Sequence, residues 1–134
     1  MSAVPGRVLV VDDDGAIRRL VSAALRRQHY ETEEAANGQE AMEKLNARAF
    51  DALLLDLMMP VRDGYEVLAF LRREQQVQWK CVVVMTAAGT RGTRDLDATL
   101  VHCVLHKPFD IGDVFIAVRA CIGSGGASPQ TPLT

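Results

Sequence analysis

Short apolar runs alternate along this chain with segments whose apolar residues recur at helical spacing. RVLVV (7–11), ALLL (52–55), CVVVM (81–85) and VHCVL (101–105) are almost continuously apolar, as expected of strands covered on both faces. A weaker fifth strand, YETEEA (30–35), mixes polar with apolar positions and belongs nearer an edge. Between the strands, Ile17, Leu20, Val21, Ala24 and Leu25 repeat as i, i+3, i+4, i+7, i+8, with Arg18, Arg19, Arg26 and Arg27 on the opposite face. A second helix opens on Asn37-Gly38-Gln39-Glu40, a capping-box-like start, and buries Ala41 and Leu45. A third follows Asp63-Gly64 and carries Val67, Leu68 and Leu71. The last starts near Asp110, a plausible N-cap, with Ile111, Val114, Phe115, Val118 and Ile122 on one stripe. The segment 88–99 is the least regular, because Gly89 and Gly92 each cost about 1 kcal/mol inside a helix.

Strand and helix alternate five times, which predicts an α/β fold: a doubly wound, five-stranded parallel sheet with right-handed crossovers and helices on both faces. At 134 residues the chain has room for one core. The expected domain is 1–122, followed by a flexible tail or severed linker at 123–134, where GSGGASPQTPLT lacks charge and is nearly free of apolar residues. A formal net charge of −2 gives no basic excess, so direct nucleic-acid contact is not expected. No apolar run approaches the ~20 residues that span a bilayer, and the first residues lack a secretory pattern; neither membrane insertion nor secretion is expected. Three cysteines, none in a CxxC pair, argue against a disulfide framework or a zinc knuckle. Buried thiols in a reducing cytoplasm are the expectation.

In parallel α/β sheets the site lies beyond the carboxyl ends of the strands. Asp12, Asp13 and Asp14 follow the first strand, Asp56 the third, Thr86 the fourth and Lys107 the fifth. Each residue alone has an ordinary explanation: Asp14 suits a helix cap, Thr86 a turn hydroxyl, Lys107 a solvated surface. Their convergence on one edge is what carries information. Crowded carboxylates repel unless a cation joins them. Hard oxygen donors suit Mg²⁺, and a hydroxyl and an ammonium beside it suit a phosphoryl group.

VLVVDDDGAIRRL, DALLLDLMMPVRDGYEVL, VVVMTA and HKPF together resemble the signature stretches of the response-regulator receiver domain of two-component signalling. The resemblance runs from about Arg7 to Ile122 and implies the flavodoxin-like strand order 2-1-3-4-5. It implies a phospho-acceptor at Asp56, with Asp13 a direct Mg²⁺ ligand and Asp12 holding the metal mostly through water. Met58 would offer its backbone carbonyl to the same ion. Thr86 would meet the phosphoryl group, Lys107 would pair with acceptor and phosphoryl oxygens, and the Lys107-Pro108 bond would be cis. The implied phosphoryl donor is a histidine kinase or histidine phosphotransfer protein, with output to a protein target or fused output domain. A phosphorylation-dependent homodimer is compatible with the family, as is a docking role for Arg18 and Arg19.

Some positions depart from that pattern. Val104 stands where the family commonly has an aromatic residue, Leu100-Val101 replaces a usual Gly-Ala, and the interval from Thr86 to Lys107 is about one residue short. These changes leave the acidic site intact but remove the aromatic side chain of the common switch, so the mobile element is expected in 88–99. His102, Val104 and His106 should share one sheet direction. Two other functions fit parts of the sequence. VVDDDGA also fits the opening of haloacid-dehalogenase-like phosphatases, with Asp12 as nucleophile and Asp14 as general acid, but that leaves the DLMMP stretch unexplained. A receiver-like module that binds without phosphorylation is the other. A GxGxxG nucleotide loop is missing after the first strand.

Overall fold

The computed structural model describes residues 6–74, 76–87 and 99–123. The expectations for 88–98 and for the tail from 124 onward lie outside the described residues. In chain order come β1 (Arg7–Val11), α1 (Gly15–Arg27), β2 (Glu31–Ala35), α2 (Gly38–Ala47) and β3 (Ala52–Asp56). Then follow α3 (Gly64–Arg73), β4 (Cys81–Thr86), β5 (Val101–His106) and α4 (Ile111–Gly123). All pairings are parallel, in the order β2-β1-β3-β4-β5, so the doubly wound sheet read from the sequence is the observed one.

Alternate residues of each central strand feed two separate cores. Leu9, Val11, Leu53, Leu55, Val82 and Val84 pack with α2 and α3 on one face. Val8, Val10, Ala52, Leu54, Val83 and Met85 pack with α1 and α4 on the other. This is why the strands read as unbroken apolar strings: a residue pointing either way meets a helix. β3 and β4 each run one residue past their apolar run, to Asp56 and Thr86, because these polar residues still pair in the ladder, Asp56 with Met85 and Thr86 with His106.

Helix starts follow the expected capping chemistry. The Asp63 carboxylate accepts from the Glu66 N–H and the Glu66 side chain from the Asp63 N–H, a full capping box. At α2, Asn37 accepts from the Glu40 N–H at 2.9 Å, but Glu40 reaches one residue further back, to the Ala36 N–H at 2.8 Å. The Asp113 carboxylate accepts from the Asp110 N–H at 3.1 Å.

Two expectations are corrected. The buried stripe of α1 is rotated from the one its apolar residues suggest: Val21, Ser22 and Leu25 are buried, whereas Leu20 is 59% exposed. Polar Arg18 and Ser22 share the inward stripe with Val21 and Leu25 at helical spacing, which apolar periodicity cannot reveal. The second correction concerns the thiols. Cys81 at the start of β4 and Cys121 near the end of α4 are joined as a disulfide, with Cα atoms 5.8 Å apart. Strand and helix come together through the second core, across 40 residues of sequence, so spacing along the chain could not pair them. Cys103 is free.

Candidate functional site

The parallel sheet delivers its strand ends to one edge, and the sequence places acids, a hydroxyl and a lysine there. Asp12 is fully buried and Asp56 3% exposed; Thr86, at the end of β4, is fully buried, and Asp13 is exposed. Oxygen atoms of Asp12, Asp13 and Asp56 all lie within 4.8 Å of one another. Lys107, immediately after β5, donates from Nζ to Asp12 Oδ2 at 2.9 Å and to Asp56 Oδ2 at 3.3 Å. Its backbone N–H donates to the Thr86 carbonyl at 2.9 Å, which ties the lysine to the strand bearing the hydroxyl. The Lys107-Pro108 bond is cis.

The remaining oxygens are held from the backbone. The Asp14 N–H donates to Asp12 Oδ1 at 2.9 Å, and the Met58 N–H to Asp56 Oδ1 at 3.1 Å. Met58 itself turns its side chain outward, 59% exposed, so what it brings to this edge is main chain. Gly64 lets the start of α3 lie against the end of β3: a Cβ there would sit 2.5 Å from the Asp56 carbonyl oxygen.

The electrostatics are unbalanced. Burial, then the charge of Asp12, raise the Asp56 carboxyl from an ordinary 3.8 to about 6, although the Met58 N–H and Lys107 pull the other way. Burial acting alone would lower the Lys107 ammonium; the hydrogen bonds and charges of Asp12 and Asp56 outweigh it and leave Lys107 above the usual lysine value. One ammonium thus serves two buried carboxylates with a third beside them.

Asp14 does different work. Its carboxylate accepts from the N–H groups of Ala16 and Ile17 at 3.0 and 3.2 Å as the N-cap of α1. Arg18, expected on the solvated face, is turned inward at 17% side-chain exposure. It donates from Nη1 to the Asp12 carbonyl at 2.8 Å and from Nε to Glu34 at 3.0 Å. Arg19 stays exposed. Sequence reading named Gly64 only as a helix start and Arg18 only on the solvated face, and missed their support of the site; the available signal was the i, i+3, i+4 relation of Arg18 to Val21 and Ser22.

Residues 8–119 match the response regulator receiver domain family. The chain belongs to that family. Among curated relatives, the transcriptional regulatory protein ResD of Bacillus subtilis is 36% identical over 118 residues, covering 87% of this chain and 48% of that protein. The transcriptional regulatory protein SrrA of Staphylococcus aureus is 35% identical over 117 residues, covering 86% and 47%. The chain therefore spans about half the length of the curated relatives it matches. The chemotaxis response regulator CheY4 of Vibrio cholerae superposes with a TM-score of 0.78 at 30% identity, covering 86% of this chain and 97% of that one. The response regulator TrrA of Thermotoga maritima, solved in complex with Mg(2+)-BeF, superposes at 0.74, with 30% identity and the same coverage. In this receiver domain, Val104 of β5 is partly buried against the core shared with α2 and α3. No helix of the described residues is long and apolar enough to cross a membrane.

Proposed function

We propose that this receiver domain is a phospho-acceptor switch in which Asp56 takes a phosphoryl group from a phosphohistidine on a histidine kinase or phosphotransfer protein. The observation carrying this reading is the convergence of Asp12, Asp13, Asp56 and Lys107 on one sheet edge. The donor set fits Mg²⁺: hard carboxylate oxygens, crowded enough to raise Asp56, with fewer positive than negative charges around them. Asp13 and Asp56 would hold the ion directly, Asp12 through water, and Met58 with its backbone carbonyl. Bound there, Mg²⁺ supplies the positive charge that lets a carboxylate approach an anionic phosphoryl group.

The residues of the chain do the rest. An Asp56 oxygen attacks phosphorus as the bond to the histidine nitrogen breaks, leaving an acyl phosphate. Lys107, now shared between Asp12 and Asp56, offers its ammonium to the new phosphoryl oxygens, and the Thr86 hydroxyl donates to another. The added charge, up to roughly −2 by analogy with other phosphoresidues, biases the surface beyond β4 and β5. With Val104 in place of a ring, one β-branched χ1 cannot make the large aromatic swing. The domain catalyses only its own phosphorylation and dephosphorylation, in the cytoplasm, and its output is a protein contact: a target, a fused domain or a second copy. The phosphatase alternative is disfavoured because Asp14, its general acid, is engaged as a helix cap.

The test is to incubate the chain with Mg²⁺ and acetyl phosphate, trap the acyl phosphate and map it by mass spectrometry. Label confined to Asp56 is expected. Label on Asp12 that survives Asp56→Asn would overturn the proposal.

A further inference from the structure

The phosphorylation chemistry leaves one reactive pair unused, at the other end of β4. Cys81 opens that strand and is 6% exposed; Cys121 lies in the last turns of α4 and is 2% exposed. Both belong to the core formed by Val8, Val10, Val83, Val114 and Val118. Their Cα separation of 5.8 Å is at the centre of the range a disulfide spans without backbone movement. The pair closes a sequence separation of 40 residues, which includes all of β5 and most of α4. Cys121 sits two residues before the end of α4, where the helix hands over to the chain that follows. The reduced state is also provided for, since the Cys81 sulfur has the Asp51 carbonyl 3.6 Å away as an acceptor.

We propose that Cys81 and Cys121 form a reversible thiol–disulfide site that staples the C-terminal end of the last helix to the central strand when oxidised and frees it when reduced. The oxidant class is a low-molecular-weight disulfide, R–S–S–R. One cysteine thiolate attacks it and expels one R–S⁻; the second thiolate then displaces the other R–S⁻ from the mixed disulfide. The sum is two protein thiols plus R–S–S–R giving the protein disulfide plus two R–SH. Both sulfurs are buried, so the first attack needs the end of α4 to open, which makes the reaction slow in the folded chain. Cys103, in the same core on β5, is the internal control: it is free, and burial raises its thiol above the usual value. Cys81 and Thr86 are opposite ends of one strand, so the staple acts on the last helix and not on the acidic edge. It stands independently of whether Asp56 is phosphorylated.

The experiment uses the whole chain equilibrated with either dithiothreitol or glutathione disulfide, then denatured, alkylated and mapped. Three alkylated thiols are expected after reduction and one, Cys103, after oxidation, with a peptide pair cross-linked through Cys81 and Cys121. Oxidation should raise Tm by about 10 °C and slow amide exchange in the last turn of α4 at least about tenfold, while phosphorylation by acetyl phosphate stays within about twofold. Cys121→Ala should abolish the oxidant-dependent shifts; the thiol count on the native sequence carries the test if that variant fails to fold. Three alkylated thiols after oxidation, a link through Cys103, or a cross-link that leaves α4 exchange unchanged would each overturn the proposal.

Discussion

Asp56 and Asp51 stand at opposite ends of neighbouring chain, five residues apart, and the sheet treats them oppositely. Asp51, just before β3, accepts the Arg7 N–H at 2.8 Å and pairs with Lys80 at 3.2 Å. Its carboxylate fastens the start of β3 to the start of β1 and has a cation of its own. Asp56, at the far end of the same strand, shares one lysine with Asp12 and is driven toward its neutral form. A carboxylate with its own partners is architecture; carboxylates crowded around too little positive charge carry a strain that the proposed Mg²⁺ would relieve. The same contrast separates Asp14, saturated by helix N–H groups, from Asp13 one residue earlier.

The largest expected effect sharpens that contrast directly. Asp56→Asn should abolish acyl-phosphate formation, whereas Asp51→Ala should leave the rate within about twofold while lowering stability by about 1–2 kcal/mol through the lost Arg7 bond and ion pair. Phosphorylation rates and urea unfolding check this pair of outcomes, with Asp51→Ala as the stability arm, because an Asn side-chain oxygen would still accept the Arg7 N–H.

The pH dependence of stability comes next. The folded chain holds the Asp56 proton up to about 6, whereas an unfolded aspartate releases it near 3.8. Between those values the folded state binds more protons, so this group's contribution to stability grows as pH falls, is complete below the lower value and is lost above the upper one. The change is at most about 3 kcal/mol. Denaturant titrations without Mg²⁺ should show that rise, and Asp56→Asn should remove it.

A smaller effect is expected at Arg18. Arg18→Gln removes its ion pair with Glu34 and weakens its hold on the Asp12 carbonyl. It should cost about 1–2 kcal/mol and weaken Mg²⁺ binding several-fold, measured by calorimetry. Charge reversal at exposed Arg19 should do neither; if it slows transfer from a kinase alone, Arg19 marks the docking face that was expected to include both arginines.

Ser22 gives the smallest effect. Its buried Oγ has no hydrogen-bond partner among the described residues, yet it lies away from the acidic edge on the inward stripe of α1. Ser22→Ala should stabilise the fold by about 1 kcal/mol and leave phosphorylation unchanged, as thermal unfolding and acetyl-phosphate assays would show.

The strands and the acidic edge were legible because both depend on local composition and topology. Unbroken Val and Leu runs mark strands buried on two faces, and parallel connection then puts whatever follows them on one edge. Asp12, Asp13, Asp56, Thr86 and Lys107 closely follow those runs, so the sequence alone places them there. The rotation of α1 was hidden because Arg18 and Ser22, polar residues, occupy inward positions while Leu20 faces water. The Cys81–Cys121 pair was hidden because three cysteines admit several pairings and only the packing of α4 against β4 selects one.

On the proposed reading, the acidic edge is a stability cost that a bound cation relieves. The most direct measurement is the unfolding free energy of the native chain and of Asp56→Asn at neutral pH, each with a chelator and with saturating Mg²⁺. In chelator, Asp56→Asn should be the more stable by about 1–3 kcal/mol, because one buried carboxylate, Asp12, is left for one lysine. With Mg²⁺ the native chain should gain more and the difference should vanish or reverse. A variant less stable than the native chain in chelator, with no differential gain from Mg²⁺, would contradict the account.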